Sequence, residues 1–200
     1  MNLQAYKTLL IVVIAVLALI VASPALQRLL VYPQTEFFTE LWLLGPEHRA
    51  DRYPFNITLN TNYNVFLAAS NHLGQSAYYE VQVKFRTQNQ PGPDSFNREP
   101  SSLPSLYNIR FFIADKDEWE LPLTFSFDYT KVSQWQVNFD HIKINEATFD
   151  LKGHSTTWDN EGSGFFGNLF FELWIYDDST EGFSYHERYN DLKLNFTVPI

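Results

Sequence analysis

A long uncharged, apolar stretch near the N-terminus divides this sequence into two unlike parts. Twenty residues between Lys7 and Arg28 carry no charge, and those from Leu9 to Ala22 are apolar without interruption. A helix rises about 1.5 Å per residue, so a helix of this length covers roughly the 30 Å of a bilayer core. We therefore predict a transmembrane α-helix, acting as a signal anchor, over residues 1–31 and one domain over residues 32–200. The residues assigned to the anchor are Leu9, Ile11, Val13, Leu17, Ile20 and Pro24.

A cleaved secretory signal peptide is the alternative interpretation of this stretch. Lys7, the apolar run and the small residues 22–25 supply the three parts that such a peptide needs. Apolar residues continue beyond the candidate cleavage site, at Leu26 and Leu29, which favours a retained anchor. The sequence leaves both interpretations open.

Two N-x-[ST] sequons lie in the predicted domain. They begin at Asn56 and at Asn195, and such triplets are glycosylation acceptors in exported chains. We therefore name Asn56 and Asn195 as candidate glycosylation sites. With the anchor, they predict a single-pass protein of the cell membrane whose C-terminal domain lies outside the cytoplasm.

The chain is acidic, rich in aromatic residues and free of cysteine. Its formal net charge is −9, and the first 32 residues contribute two basic and no acidic side chains. A domain this acidic offers no basic patch for phosphates, which excludes nucleic acid as a partner. Without cysteine it has neither disulfides nor thiolate metal ligands. An apolar core must therefore hold it together, and Phe, Tyr and Trp make up 17% of the chain.

Apolar and polar residues alternate with a period of two through most of the domain. The pattern is clearest at Ala77–Thr87, and it is typical of a half-buried strand. Eight further runs are predicted as strands: 36–44, 64–70, 106–114, 119–127, 134–139, 147–152, 169–176 and 191–198. Turn residues separate them and no amphipathic helix intervenes, so we predict an all-β fold, an immunoglobulin-like antiparallel β-sandwich. Residues 88–105, with four prolines, form the longest loop and are either a mobile excursion or a binding element.

The first half of the domain carries a distinctive pattern. Phe38-Thr39-Glu40 leads to Leu44-Gly45-Pro46, Tyr53-Pro54 follows, and a run ending at Asn71 precedes the Tyr79–Phe85 strand. This pattern resembles an archaeal family of membrane proteins classified as domain of unknown function sixteen-sixteen. The resemblance covers most of residues 36–198 and implies an immunoglobulin-like sandwich held outside the cell by a membrane segment. The family has no known activity, so the resemblance implies no catalytic residue.

Potential ligand and catalytic groups occur, but not at the spacing that a known site requires. The five histidines share no metal-binding spacing: His48, His72, His141, His154 and His186. The acidic turn from Asp177 resembles the start of a calcium loop, but Arg188 stands where a bidentate Glu is required. There is no G-x-S-x-G elbow, and carboxylate pairs such as Glu172 with Asp177 define no cleft. We therefore expect no catalytic, metal or cofactor site and no enzyme activity.

Several Trp and Tyr residues exceed what one face of a small sandwich needs, so we expect most of them in the core and some in an exposed patch. The candidates are Trp119, Trp135, Trp158, Trp174, Tyr78, Tyr107, Tyr129 and Tyr185. Rings left at the surface would mark a protein interface, or would stack on the sugar rings of a glycan.

These observations together predict a binding role. We expect a non-catalytic, membrane-anchored extracytoplasmic accessory or structural subunit that packs on a larger membrane or cell-envelope protein complex. The alternative is an envelope carbohydrate-binding module that uses exposed Trp and Tyr. The expected partners are subunits of that complex, the lipid bilayer through the N-terminal helix, and glycans.

Overall fold

The structure is a computed structural model that describes residues 6–7, 9–18, 20 and 37–197. It is mostly β, with eleven strands that all lie within one compact unit, Phe38–Ile200. The strands are β1 Phe38–Leu44, β2 Asn56–Thr58, β3 Tyr63–His72, β4 Ala77–Thr87, β5 Tyr107–Ile113, β6 Glu118–Ser133, β7 Gln136–Ile144, β8 Ala147–Asp150, β9 Ser155–Asp159, β10 Gly164–Asp177 and β11 Gly182–Thr197. The predicted β class of the domain is confirmed.

Two groups of strands join into one curled sheet. The first group runs β1-β3-β6-β7 with β8 on β7, and all its pairs are antiparallel. The second runs β5-β4-β10-β11, also antiparallel, and ends with β2 parallel to β11. The short strand β9 pairs with β7 and with β10, so it connects the two groups.

The core lies where side chains of the two groups meet. Phe85 of β4 has its ring centre 5.1 Å from that of Phe127 on β6 and 5.0 Å from that of Phe139 on β7. Phe196 of β11 lies 5.0 Å from Phe127 and 4.6 Å from Phe139, with its ring edge-on to both. All four rings are buried. Edge-to-face packing of this kind stabilises aromatic pairs beyond the area that they bury.

The predicted membrane anchor is wrong. Leu9, Ile11, Val13 and Leu17 lie on a helix whose longest continuous described stretch is residues 9–18, and Ile20 is also helical. Among the described residues no helix is long and apolar enough to cross a membrane. This finding overturns the single-pass localisation outside the cytoplasm. Pro24 lies outside the described residues.

Candidate interaction surface

The residues of the family-like pattern meet in one buried hydrogen-bond chain. Tyr79 donates its hydroxyl to the Asn71 side-chain oxygen at 3.1 Å, and the Thr39 hydroxyl lies 3.1 Å from the Tyr79 hydroxyl. Since the Tyr79 proton goes to Asn71, Thr39 donates to Tyr79 and accepts from His186 Nε2, 3.0 Å away. Asn71 completes the chain by donating to the Ile113 carbonyl at 3.0 Å. We call Thr39, Asn71 and Tyr79 the polar clamp, because they join β1, β3 and β4.

Burial controls the titration of the two ionisable groups in this chain. It raises the pKa of the Tyr79 hydroxyl, partly opposed by the hydrogen bond from Thr39. It lowers the pKa of His186, and the nearby positive charge of Arg188 lowers it further, against a smaller opposite effect of Glu187. The imidazole is therefore neutral at neutral pH. The polar clamp is a structural feature rather than a reactive one.

Gly45 of the Leu44-Gly45-Pro46 segment must be a glycine because the main chain at Asp51 passes very close to it. A Cβ placed on Gly45 would collide with the main-chain oxygen of Asp51. Gly45 also donates its N–H to the Arg49 carbonyl at 2.7 Å, which closes a tight loop after β1. Tyr53, before the proline of the Tyr-Pro pair, donates its hydroxyl to the Leu43 carbonyl at 2.8 Å. This segment therefore folds back along β1.

The two candidate glycosylation sites lie side by side. Asn56 and Asn195 are register partners of the parallel β2–β11 pair, and the Asn195 amide donates to Asn56 Oδ1 at 3.0 Å. The Asn195 side-chain oxygen accepts the Phe165 main-chain N–H at 3.2 Å. Asn195 is partly buried, whereas Asn56 is exposed. Glycosylation of either residue stays a prediction.

The potential metal and acid–base groups are separated or already paired. Within the described residues no three His, Cys, Asp or Glu side chains are close enough to hold a metal ion. His48 pairs with Glu120 at 3.1 Å, and His141 lies 3.8 Å from Asp128. In the acidic turn, Asp177 accepts hydrogen bonds from the Ser179 hydroxyl and main-chain N–H, which lower its pKa. Glu172, considered with Asp177 as a carboxylate pair, is buried in an ion pair with Lys84.

That ion pair fastens the proline-rich loop to the sheet. Lys84 Nζ of β4 lies 2.8 Å from Glu172 Oε2 of β10, and both side chains are buried. Lys84 donates to the Ser101 carbonyl at 2.9 Å, while the Ser101 N–H donates to Glu172 Oε1 at 2.6 Å. Residues 88–105 therefore cover half of the outer face of this strand group. Strand β4, predicted to be half-buried, is covered on both faces at this level.

The uncovered half of the same outer face carries a cluster of aromatic rings. Tyr78 of β4, Phe112 of β5, Tyr176 of β10 and Phe183 of β11 form this cluster, which we call the aromatic face. Tyr78 stacks on Phe112 with ring centres 4.2 Å apart and planes 14° apart. It also contacts Tyr176 at 6.0 Å and Phe183 at 5.2 Å. Although packed on Tyr78, Phe112 keeps 72% of its surface exposed.

A charged row borders the aromatic face. Arg110 of β5 donates to the buried Glu80 carboxylate at 2.7 Å, and this contact raises the pKa of Arg110. The Arg110 guanidinium also lies 5.1 Å from the centre of the Phe183 ring. The arrangement combines apolar area with a fixed cation, which suits noncovalent binding and offers no nucleophile.

The sequence identified Tyr78 but missed the other three rings of the aromatic face. The other residues that it singled out lie outside this cluster, and of these Trp174 and Tyr185 lie beside it on the same outer face, with ring centres 5.7 Å apart. Trp119 stacks on the buried Phe111 at 3.7 Å, and Trp158 packs on Phe165 at 5.2 Å. Tyr129 is buried, and its hydroxyl lies 2.8 Å from the Ile57 carbonyl oxygen and 2.7 Å from that of Thr197, to either of which it can donate its one proton. Burial raises the pKa of Tyr129 to about 12. The alternation of strand β5 could have identified Phe112 as a surface ring. It lies between the inward-facing Phe111 and Ile113, at a position where a half-buried strand normally has a polar residue.

The strands and the polar clamp define a mostly β domain. The residues of its family-like sequence pattern have structural roles. The chain belongs to the family described as Domain of unknown function (DUF1616), whose profile matches residues 33–139. The resemblance drawn from the sequence is thereby confirmed at the level of the family. No curated protein matches the chain.

Solved structures resemble the chain only weakly. One is a chain of the human seminal-plasma complex between zinc 2-glycoprotein and prolactin inducible protein. It has a TM-score of 0.38 and 8% identity, over 83% of this chain and 100% of that one. A β-glucosidase from Listeria innocua in complex with glucose gives a TM-score of 0.35 and 7% identity over 82% of this chain. This chain spans 17% of that enzyme. Likenesses of this size support no conclusion about function.

Proposed function

We propose that this domain is a non-catalytic interaction module, an accessory or structural subunit that packs on a larger protein complex through its aromatic face. The observation that carries the proposal is the exposure of Phe112 within a cluster of four rings on an otherwise well-packed sheet. Isolated surface aromatics need no explanation, but contiguous apolar patches mark binding sites. Aromatic residues beside an arginine are also the composition of interface hot spots.

We further propose that the fold is an immunoglobulin-like sandwich. Two antiparallel strand groups that share one aromatic core support this assignment, as does the burial of alternate residues on β5 and β6. Such a sandwich carries a rigid outer face on each sheet. A preformed surface reduces the entropy lost on binding.

The mutual tilt of the rings supports a protein partner over a glycan. Tyr78 and Phe112 cover one face of each other, and Tyr176 and Phe183 tilt by 52° and 55° from Tyr78. A sugar ring stacks best on an uncovered flat face, whereas a protein side chain can fill the angles between tilted rings. One ring, Phe183, is also occupied by the Arg110 guanidinium.

One observation favours the second candidate, a carbohydrate-binding module. A cavity of about 490 Å³ lies between Tyr78, Phe112 and Tyr176, and Gln75, Ser76 and Asp178 add polar groups to its wall. Side chains of these types can bond the hydroxyl groups of a sugar while a ring contacts its apolar face. This candidate uses the same surface, so one set of variants tests both.

The test compares Phe112→Ala with Trp135→Ala in the tagged full chain, expressed in its native host. Trp135 is an exposed aromatic at 55% and lies outside the aromatic face, which makes it a matched control. We expect a stoichiometric protein partner to co-purify with the wild type and the control. Loss of a hot-spot ring should lower its recovery at least about tenfold.

Two results would contradict the proposal. One is a monomer without partners, and the other is equal recovery of the partner by both variants. Binding of the wild type to a glycan array, lost in Phe112→Ala, would establish the carbohydrate-binding alternative instead.

A further inference from the structure

Strand β1 has one edge without a neighbouring strand. In the described part of the chain it pairs with β3 alone, in the register Thr39↔Asn71 and Leu41↔Ala69. The main chain of Asn71 is bonded on its opposite side, since its N–H donates to Asp117 and its carbonyl accepts from Lys116. Thr39 and Asn71 are thus a non-hydrogen-bonded pair, so the peptide groups of Thr39 face away from β3.

This alternation identifies the polar groups on the free edge. If Thr39 faces away from β3, so do Leu41 and Leu43. Two independent contacts agree with this: Tyr53 bonds the Leu43 carbonyl at 2.8 Å, and Arg188 Nε lies 3.4 Å from the Thr39 carbonyl. The N–H and carbonyl of Leu41, midway between them, have no hydrogen-bond partner within the described residues.

A groove of about 810 Å³ runs along this edge. All seven residues of β1 line it, from Phe38 to Leu44. Arg188 and Asn190 of β11 border one side, and Ala50 and Tyr53 of the loop after β1 border another. The contacts of Arg188 and Tyr53 close the edge at its two ends, so its open part centres on Leu41.

We propose that this groove binds an extended segment of a partner polypeptide, which adds a strand to β1 and exchanges two main-chain hydrogen bonds with Leu41. An unpaired strand edge alternates donors and acceptors at a spacing that another extended main chain matches. The inference concerns a surface separate from the aromatic face and does not depend on the proposed function.

The side chains around the edge specify the segment further. Leu41 and Trp42 are partly buried and lie on opposite faces of β1, so two consecutive apolar residues of the segment would pack one on each. Among the described residues, Arg188 bonds only the main-chain carbonyls of Thr39 and Glu187. Its guanidinium can therefore donate hydrogen bonds to a carboxylate of the segment near the Thr39 end.

The walls of the groove argue against a second copy of this chain as the occupant. Two β1 strands could pair edge to edge only if Tyr53 and Arg188 of each copy made way for the other sheet. A short extended segment needs only the open part of the edge around Leu41. We therefore assign the groove to a linear segment, such as a tail or linker of the partner.

The test begins with the full chain and a phage-displayed library of short random peptides. Selected peptides are synthesised with one N-methyl group at each position in turn. Strand addition predicts that methylation weakens binding by about tenfold or more at the position opposite Leu41 and spares the residues on either side of it. Amide exchange of the wild-type protein gives a second readout. Peptide binding should protect the Leu41 amide, whereas the Trp42 amide is already protected by β3.

Variants separate this site from the aromatic face. Leu41→Pro removes the edge N–H, and an edge strand tolerates proline, so we expect a folded protein that loses the peptide. Phe112→Ala should bind the peptide normally. The inference is overturned if no peptide binds, if N-methylation opposite Leu41 has no more effect than on either side of it, or if Phe112→Ala loses the peptide while Leu41→Pro keeps it. Concentration-dependent dimerisation that protects Leu41 without peptide would also overturn it, in favour of a second copy.

Discussion

Single residues of the family pattern are explained by contacts far apart in the sequence. Thr39, Asn71 and Tyr79 come from three strands and share one hydrogen-bond chain, and Gly45 leaves room for the main chain of Asp51. The sequence indicated that these residues serve core and turns, and the contacts agree. It could not indicate that they bond one another, because a hydrogen-bond partner depends on strand order. No local pattern predicts strand order.

Replacing Gly45 with alanine should destabilise the domain by about 2–4 kcal/mol, because the new methyl group meets a rigid main-chain oxygen. Urea unfolding followed by tryptophan fluorescence measures the change. Gly182→Ala is the matched control, since a Cβ there has only one neighbour, at 3.7 Å. We expect the control to change the free energy of unfolding by less than about 0.5 kcal/mol. Equal effects of the two variants would contradict this explanation of Gly45.

His186 should make stability dependent on pH. Its pKa is lowered in the folded state, so the unfolded chain binds a proton more readily. The free energy of unfolding should therefore fall as the pH drops below about 6.5, the ordinary histidine pKa, down to the lowered folded value. The denaturation midpoint between pH 8 and 5.5 measures this.

A His186→Gln variant should lose this part of the pH dependence, because glutamine does not titrate. His141→Gln is the control, since His141 lies in a more open position beside Asp128. If the His186 variant retains the full slope, another group is responsible.

At the scale of elements, the sequence located the long strands and missed the irregular ones. Ala77–Thr87 was predicted residue for residue, because its alternation is uninterrupted. Strand β11 begins at Gly182, whereas the sequence predicted a start at residue 191. Its register against β10 shifts at one point, because Trp174 pairs with Tyr185 but Leu173 pairs with Arg188. The bulge between them, with Glu187 at φ 55°, breaks the period of two. Strands β2 and β9 were missed because each contains a single apolar residue, Ile57 and Trp158, and so shows no alternation.

The proline-rich loop should depend on the Lys84–Glu172 ion pair. Lys84→Met leaves a buried carboxylate without its partner, which should cost about 3–5 kcal/mol and release Ser101. We expect trypsin to cleave after Arg98 at least about tenfold faster, since opening of the loop then costs less free energy. Lys152→Met removes the exposed pair with Asp150 and serves as the control, with little expected change.

A double variant distinguishes the loop from the overall fold. Lys84→Met combined with Glu172→Leu removes both charges, so part of the lost stability should return. Cleavage after Arg98 should stay fast, because both main-chain groups of Ser101 still lack their partners. Slow cleavage in the double variant would show that other contacts hold the loop.

At the scale of the molecule, one aromatic core joins the two strand groups. Phe196 contacts Phe85, Phe127, Tyr129 and Phe139, so Phe196→Ala should cost about 3–5 kcal/mol. Since these rings come from both groups, far- and near-ultraviolet circular dichroism should report one coincident unfolding transition. Phe112→Ala, on the surface, should stay within about 1 kcal/mol of the wild type. Two separated transitions would mean that the groups unfold independently.

The sequence predicted the β class of the domain correctly, but its prediction of a membrane anchor in the N-terminal stretch was wrong. An apolar run of sufficient length satisfies the hydropathy criterion for a membrane span, but no helix among the described residues is long and apolar enough to cross a membrane. The excess of aromatic residues predicted that some rings lie at the surface, but it did not identify which ones. Which rings are exposed depends on the path of residues 88–105, which cover one half of a face and leave the other half open.

The end of β11 has a mechanical consequence. Its last residues are held by β10 on one side and by parallel β2 on the other, and the Tyr129 hydroxyl lies within hydrogen-bond distance of the Ile57 and Thr197 carbonyl oxygens. These hydrogen bonds lie across the strand direction. A force applied along β11 therefore loads them all together in shear, and they resist it jointly instead of breaking one after another. Tension delivered through this strand would be carried into the core before the fold gives way.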